Sequence, residues 1–398
     1  MKRRFLALVL AGCLAAVLST TAWASPTPTS VSTEMELTTA LGDTAVTSIQ
    51  LKGNIDISNT LVVTKDVTLD LNGFVLQHEN RDANDSVIQM DSGTLTLVDS
   101  NPDAIHKFVK EATGLWTLNE NAGTEIVKGG VITGGIGREH SFSSVYGSIS
   151  ENGGGGVFIN QDASFVMEGG NIVGCSAVGE HNTAGGVLVA RSASFVMKAG
   201  KIAGCTAARG GGVYVADRDG DYALGSFTMN GGTIEWCVAY GSAAYDDGGG
   251  VNNLGSFTMN GGTIRNCTAA YGYDGGISSL RNITICGDAF VRDCTASQDK
   301  SSAMYLNPSN PADRAVIEGG TFRGNIYASP YCTGMVAVTG GTFDPGQPNG
   351  ITLHTVTFNS NGGSDVPEQI RANAAATKPA DPTRSGYVFA GWYTDEAC

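Results

Sequence analysis

From residue 153 onward the chain alternates apolar and polar positions in short bursts, most of them closed by a glycine pair. In SFVMEGGNIVGC (residues 164–175), Phe165 and Met167 alternate with Ser164 and Val166, and Ile172 follows the glycines. The phrase returns as SFVMKAGKIAGC (194–205), SFTMNGGTIEWC (226–237) and SFTMNGGTIRNC (256–267), at offsets of 30, 32 and 30 residues. A weaker copy, NITICGDAFVRDC, ends at Cys294, and AVIEGGTF and VAVTGGTF end at Phe322 and Phe343. A second phrase precedes most copies: GGGVFI at Gly154, GGVLV at Gly185, GGGVYV at Gly210, GGGV at Gly248 and GGI at Gly275.

Period-two alternation is the signature of a strand, not of a helix. One such unit cannot bury its apolar side alone, but units stacked in register bury a continuous core and pair their backbones. Glycine fits the corners, where the chain needs positive φ or stacked backbones approach closely. The pattern therefore predicts an all-β, right-handed parallel β-helix with Phe, Met and Ile inward. A propeller blade is longer and leucine-rich repeats need periodic Leu and Asn, so neither fits. Upstream, residues 33–41 read as a short helix able to cap the open end of a solenoid. SIQLKGNIDI, TLVVTKDVTLDLNGFVLQ and SVIQMDSGTLTLVDS read as irregular first coils. Residues 101–124 read as a loop excursion, and VKGGVITGG at Val127 returns to the coil pattern.

Composition agrees with a large packed core. Of 398 residues 55 are Gly and only 11 are Pro, without a G-X-Y period; 41% are hydrophobic and 16% charged. Residues 1–24 read as a signal peptide, with Lys2, Arg3 and Arg4 before an apolar stretch and Ala22-Trp23-Ala24 before Ser25. Leu10-Ala11-Gly12-Cys13 offers a competing lipobox, in which Cys13 carries a lipid. Removing the three basic leader residues takes the formal net charge from −14 to −17. Such acidity argues against nucleic acid or an anionic membrane as partner, leaving contact with a membrane to an unseen anchor or a lipidated Cys13. The expected location is the cell envelope, the cell surface or the medium.

The GG[VI] and F-x-M-x-GG-x-I phrases resemble the repeats of polymorphic outer-membrane and adhesin families, within the pectate-lyase-like β-helix group. The likeness covers residues 153–294. Asn230 and Asn260 fit that family's F-x-x-N pattern, whereas Glu168 and Lys198 depart from it. At the other end, VTFNSNGG (356–363) and KPADPTRSGYVFAGWYTD (378–395) resemble the Listeria–Bacteroides, or internalin B-type, repeat. That resemblance implies a small β-grasp-like module, here partial, because the family repeat continues through a further strand; the chain is expected to be a fragment. The implied organisation is a leader (1–24), a capped β-helix (25–350) and the partial repeat (351–398).

Cys175, Cys205, Cys237, Cys267 and Cys294 recur at one coil position and read as a buried column. Cys286 and Cys294 are the best-placed pair if a disulfide forms. No C-x-x-C appears, so zinc is not expected, and calcium is the one cation left open. Because the β-helix group includes polysaccharide lyases and hydrolases, acidic clusters matter. Asp217, Asp219 and Asp221 resemble part of a calcium loop but lack a distal Glu. Stacking is expected to bring Arg209, Asp247 and Asp274 to one edge, a loose likeness to a lyase site. His78, His106, His140, His181 and His354 do not follow the coil period and read as surface loop residues, not ligands or bases. No nucleophile elbow, phosphate loop or nucleotide fingerprint is present. The leading expectation is a non-enzymatic structural or adhesive surface protein, without cofactor, presenting a face to glycan or protein ligands. The competing readings are a carbohydrate-active β-helix enzyme and a pure spacer.

Overall fold

The computed structural model describes residues 27–79, 85–144, 147–179, 183–217, 223–241, 248–297, 301–308, 310–344, 346 and 348–393. The leader with Cys13, and Asp219, Asp221, Asp247 and His181, lie outside the described residues. Among the described residues the chain is nearly all β, built as a parallel β-helix with three long sheets of eleven, ten and nine strands.

One coil shows the path. Ser164–Met167 lies in the first sheet, Asn171–Val173 in the second and Val187–Val189 in the third, and Ser194–Met197 is back in the first. Repeat letters pair one to one between coils, so Phe165, Phe195, Phe227 and Phe257 form a column, with Met167, Met197, Met229 and Met259 beside it. The phenyl rings stack at centroid distances of 5.1, 4.7 and 4.8 Å with interplanar angles of 12° or less. Each ring is buried and carries the transfer energy of a large apolar side chain, about 1.5–3 kcal/mol. Ile172, Ile202, Ile234 and Ile264 supply the second sheet's inner column, and Val157, Val187, Val213 and Val251 the third's. The inner column is polar at Asn253, whose amide donates to Ser279 Oγ and to the Asn282 carbonyl at 2.9 Å each, so burial leaves it satisfied.

A sharp bend precedes each cysteine of the column, and all five bend residues have left-handed φ between 54° and 63°: Gly174, Gly204, Trp236, Asn266 and Asp293. Short strands at Thr206–Ala207, Val238–Ala239, Thr268–Ala269 and Thr295–Ala296 then carry the corner toward the third sheet.

The N-terminal helix, Glu34–Gly42, is where alternation gives way to a capping signal. The Thr33 side chain accepts the Glu36 N–H, and Glu36 in turn accepts the Ser32 N–H at 2.7 Å. Leu37, Ala40 and Leu41 are buried against the first coils, closing the core's open end.

Residues 101–124 are not a loop excursion. Ile105–Lys110 pairs antiparallel with Trp116–Leu118 and with Glu125–Lys128, giving a three-stranded sheet outside the solenoid. It lies on the outer face of the second sheet, where Phe108, Trp116 and Val127 meet Val75, Val131, Val173 and Ala203. Those four residues point away from the solenoid core, so their apolar surface needs a cover, and the antiparallel sheet supplies it.

The C-terminal segment forms its own antiparallel pair, His354–Val356 with Gln369–Arg371. Ala372 then bridges Val338 on the last strand of the first sheet, with both backbone hydrogen bonds at 2.9 Å. Phe358 and Phe389 each meet the Trp392 ring edge-on at 5.3 Å.

Candidate functional surfaces

The corner before the third sheet gathers the polar groups that the glycine-triplet phrases foreshadow. Arg209 pairs with Thr183 of the preceding coil, and Asp274 with Ser301 of the following one. Arg209 and Asp274 share this corner but lie two coils apart, about 10 Å along the axis, so the structure does not bring them into contact. Asp247, between them in sequence, is outside the described residues.

Asp274 is fully buried, and one carboxylate oxygen accepts the Ser301 hydroxyl at 2.6 Å. Tyr305, on the outward row of the third sheet, is buried and stacks on Tyr327 at 5.8 Å. Burial, followed by the nearby Asp274 carboxylate, pushes the Tyr305 phenol well above its ordinary pKa. A phenol held protonated in this way is a poor general base at neutral pH. Ser301 and Tyr305 were not singled out from sequence, because neither carries a motif; only the coil register places them beside Asp274.

Asp217 takes part in a charged clamp. Arg281 bridges its carboxylate at 2.6 Å and that of Asp313 at 3.2 Å, joining three coils on the outside. Arg281 and Asp313 carry no repeat signal of their own. Asp219 and Asp221 are outside the described residues.

The five cysteines form the expected column and are buried, and no described cysteine is in a disulfide. Each thiol from Cys205 onward donates to the carbonyl two residues back, at 3.3 or 3.4 Å: Ala203, Glu235, Arg265 and Arg292. Burial pushes the Cys237 thiol up, and its neighbours Cys205 and Cys267 act in the same direction. Sealed from solvent, the column fills the core as small apolar side chains do. Cys286 is half-buried outside the column and meets Asn260 Oδ1 at 3.0 Å. Among the described residues no cluster of His, Cys, Asp and Glu is arranged to hold a metal ion.

Two of the histidines are not surface loop residues: His78 ends a strand and is fully buried, and His106 lies in a strand, buried between the Glu120 carboxylate at 2.8 Å and the Gly73 carbonyl at 2.9 Å. The outer face of the second sheet carries another charged set. Glu235 is buried between Lys201 and Arg265, at 2.6 Å from each. The coil register sets Glu235 opposite Arg265, while Lys201, on the adjoining outward row of the preceding coil, reaches the same carboxylate diagonally.

Comparison with known proteins bears on the C-terminal segment. Residues 354–398 match the Listeria-Bacteroides repeat domain. Two proteins of Evansella cellulosilytica, named "Putative membrane protein" and "Putative Gly-rich membrane protein", are each 45% identical over 47 residues, 12% of this chain. The match spans 7% of the first and 5% of the second, so less than a tenth of either relative is represented. No solved structure matches the chain. Among the described residues no helix is long and apolar enough to cross a membrane.

Proposed function

We propose that this chain is a cell-envelope protein of structural or adhesive type, whose β-helix presents a lateral face to glycan or protein ligands. The observation that carries the proposal is the uninterrupted coil register from residue 164 to 344, which spends its most repeated residues on packing and leaves long outward rows. The Listeria-Bacteroides repeat, a family that occurs in surface proteins, and relatives named as membrane proteins support the envelope placement. The resemblance to adhesin-type GG repeats supports the adhesive role. Export through the leader and attachment through an anchor or a lipidated Cys13 belong to the same proposal.

The competing reading, a polysaccharide lyase or hydrolase, draws on Asp274 beside Tyr305. Its weakness is chemical: a buried acid tied to Ser301 and a phenol pushed up in pKa do not make the accessible pair of carboxylates that hydrolysis needs. Binding to glycan arrays and cells, run beside a product-release assay on acidic and neutral polysaccharides with calcium, tests both. Binding without turnover is the expected result. Released oligosaccharides overturn the non-enzymatic reading, and a complete lack of binding leaves only a spacer.

A further inference from the structure

One outward row of the second sheet changes character along the solenoid. Its upstream members Thr133, Val173, Ala203 and Glu235 are buried, the first three under or beside the three-stranded antiparallel sheet. The next three coils place Arg265, Arg292 and Arg323 in strict register, with Asp344 after them. Arg265 and Arg292 are half-buried, and Arg323 is exposed. Consecutive guanidinium stems are therefore about 4.8 Å apart along the axis. Like charges directly opposite on neighbouring strands work against folding, so packing alone does not ask for this row.

The arginines differ in how far they are neutralised. Arg265 is held on Glu235 at 2.6 Å, and Arg292 pairs with Asp293. Arg323 has no carboxylate partner among the described residues. On the adjoining outward row, Phe290 carries the Arg292 guanidinium at 5.4 Å and that of Arg323 at 5.5 Å from its ring centre. At the upstream end Lys110 of the antiparallel sheet sits over the Trp236 ring at 4.1 Å. The result is a strip of cations interleaved with aromatic faces, on a chain whose formal net charge is −14. The antiparallel sheet bounds the strip on one side and gives it a start.

We propose that this strip binds a linear acidic polysaccharide, lying along the solenoid axis with its carboxylate or sulfate groups on the arginine row. The proposal rests on the surface-binding reading above and names the face and the ligand class. Planar guanidiniums recognise carboxylate and sulfate oxygens through paired N–H donors. The ladder step is comparable to the length of one sugar residue, so a chain with one anionic group per sugar stays in step over three coils. Phe290 and Trp236 offer apolar faces to the sugar rings. Asp293 works against non-specific attraction, because a ligand has to displace it from Arg292 by bidentate contact.

The test uses the full chain on immobilised polygalacturonate and heparin, with dextran as neutral glycan and single-stranded DNA as a polyanion without acidic sugars. Arg292→Gln with Arg323→Gln is expected to weaken acidic-polysaccharide binding about tenfold or more, and salt to weaken it in the parent. Arg292→Lys with Arg323→Lys is expected to recover part of the loss. Lys52→Gln with Lys378→Gln, which removes equal charge elsewhere, is expected to leave binding unchanged. Thermal melts of each variant confirm folding. Unchanged binding in the Gln variant overturns the assignment, as does stronger retention of DNA than of either acidic polysaccharide. Dextran or cell binding that persists while the acidic polysaccharides fail to bind overturns the arginine strip but spares the surface-binding reading. Failure of the parent chain to bind any ligand overturns both.

Discussion

Trp236, Asn266 and Asp293 occupy a bend that Gly174 and Gly204 occupy in the two preceding coils. Conformation alone does not separate them, since all five share left-handed φ. Space does. A Cβ on Gly174 lands 1.9 Å from the Trp116 carbonyl oxygen, and one on Gly204 lands 2.1 Å from the Trp116 ring. Among these five bends, glycine stands at the two on which the antiparallel sheet presses. Gly204→Ala is expected to lower stability by about 2–4 kcal/mol in chemical denaturation. Asp293→Gly, at an exposed bend, is expected to change it by less than about 1 kcal/mol. Equal effects at the two positions contradict this account.

Asp70 provides a second test at this scale. Burial works against its charge, but hydrogen bonds from Gln50, Ser100 and Asn72 outweigh it and hold the pKa below the usual 3.8. A depressed folded pKa means the stabilisation is complete above the unfolded value and is lost as pH falls through the folded one. Melts of the parent are expected to fall in Tm below about pH 4, with a shallower acid limb and a lower neutral Tm in Asp70→Asn. Parallel acid limbs in the two proteins count against it.

Among the elements, the repeated strands are those most legible from sequence. SFTM states which residues face in, and its repetition states what stacks on what, so the phenylalanine and cysteine columns follow from spacing alone. The three-stranded antiparallel sheet was not legible in that way. It occurs once, and its partners Val75, Val131, Val173 and Ala203 sit on the outward positions of other coils. A signal was present, since those outward residues are apolar without a reason inside the solenoid. The same cause hid the arginine row: Arg265, Arg292 and Arg323 follow Ile264, Val291 and Phe322 at a fixed step, but only register makes them neighbours. Trp116→Ala removes the sheet's main anchor. It is expected to raise amide exchange across residues 105–128 while the coil strands keep their protection. Uniform loss of protection through the coils indicates instead that the sheet is integral to the core.

At the scale of the molecule, the chain is close to a one-dimensional array, in which each coil contacts its neighbours and the ends need covers. The helix Glu34–Gly42 covers one end of the core. At the other, Ala372 adds an antiparallel bridge to the last strand of the first sheet, so the segment matching the Listeria-Bacteroides repeat begins against the solenoid. Distances along such an array are set by coil number. Thr96 and Ala337 lie on one outward row of the first sheet, seven ladder steps apart. Nitroxide labels at these two positions, in a Cys13→Ser, Cys286→Ser, Cys398→Ser background, give the most direct test by pulsed electron paramagnetic resonance. The account predicts a narrow distribution near 34 Å, from steps of about 4.8 Å, shortening by about 4.8 Å for each coil the first label is moved downstream. A broad distribution, or distances that do not shorten in equal steps, contradicts the parallel in-register solenoid.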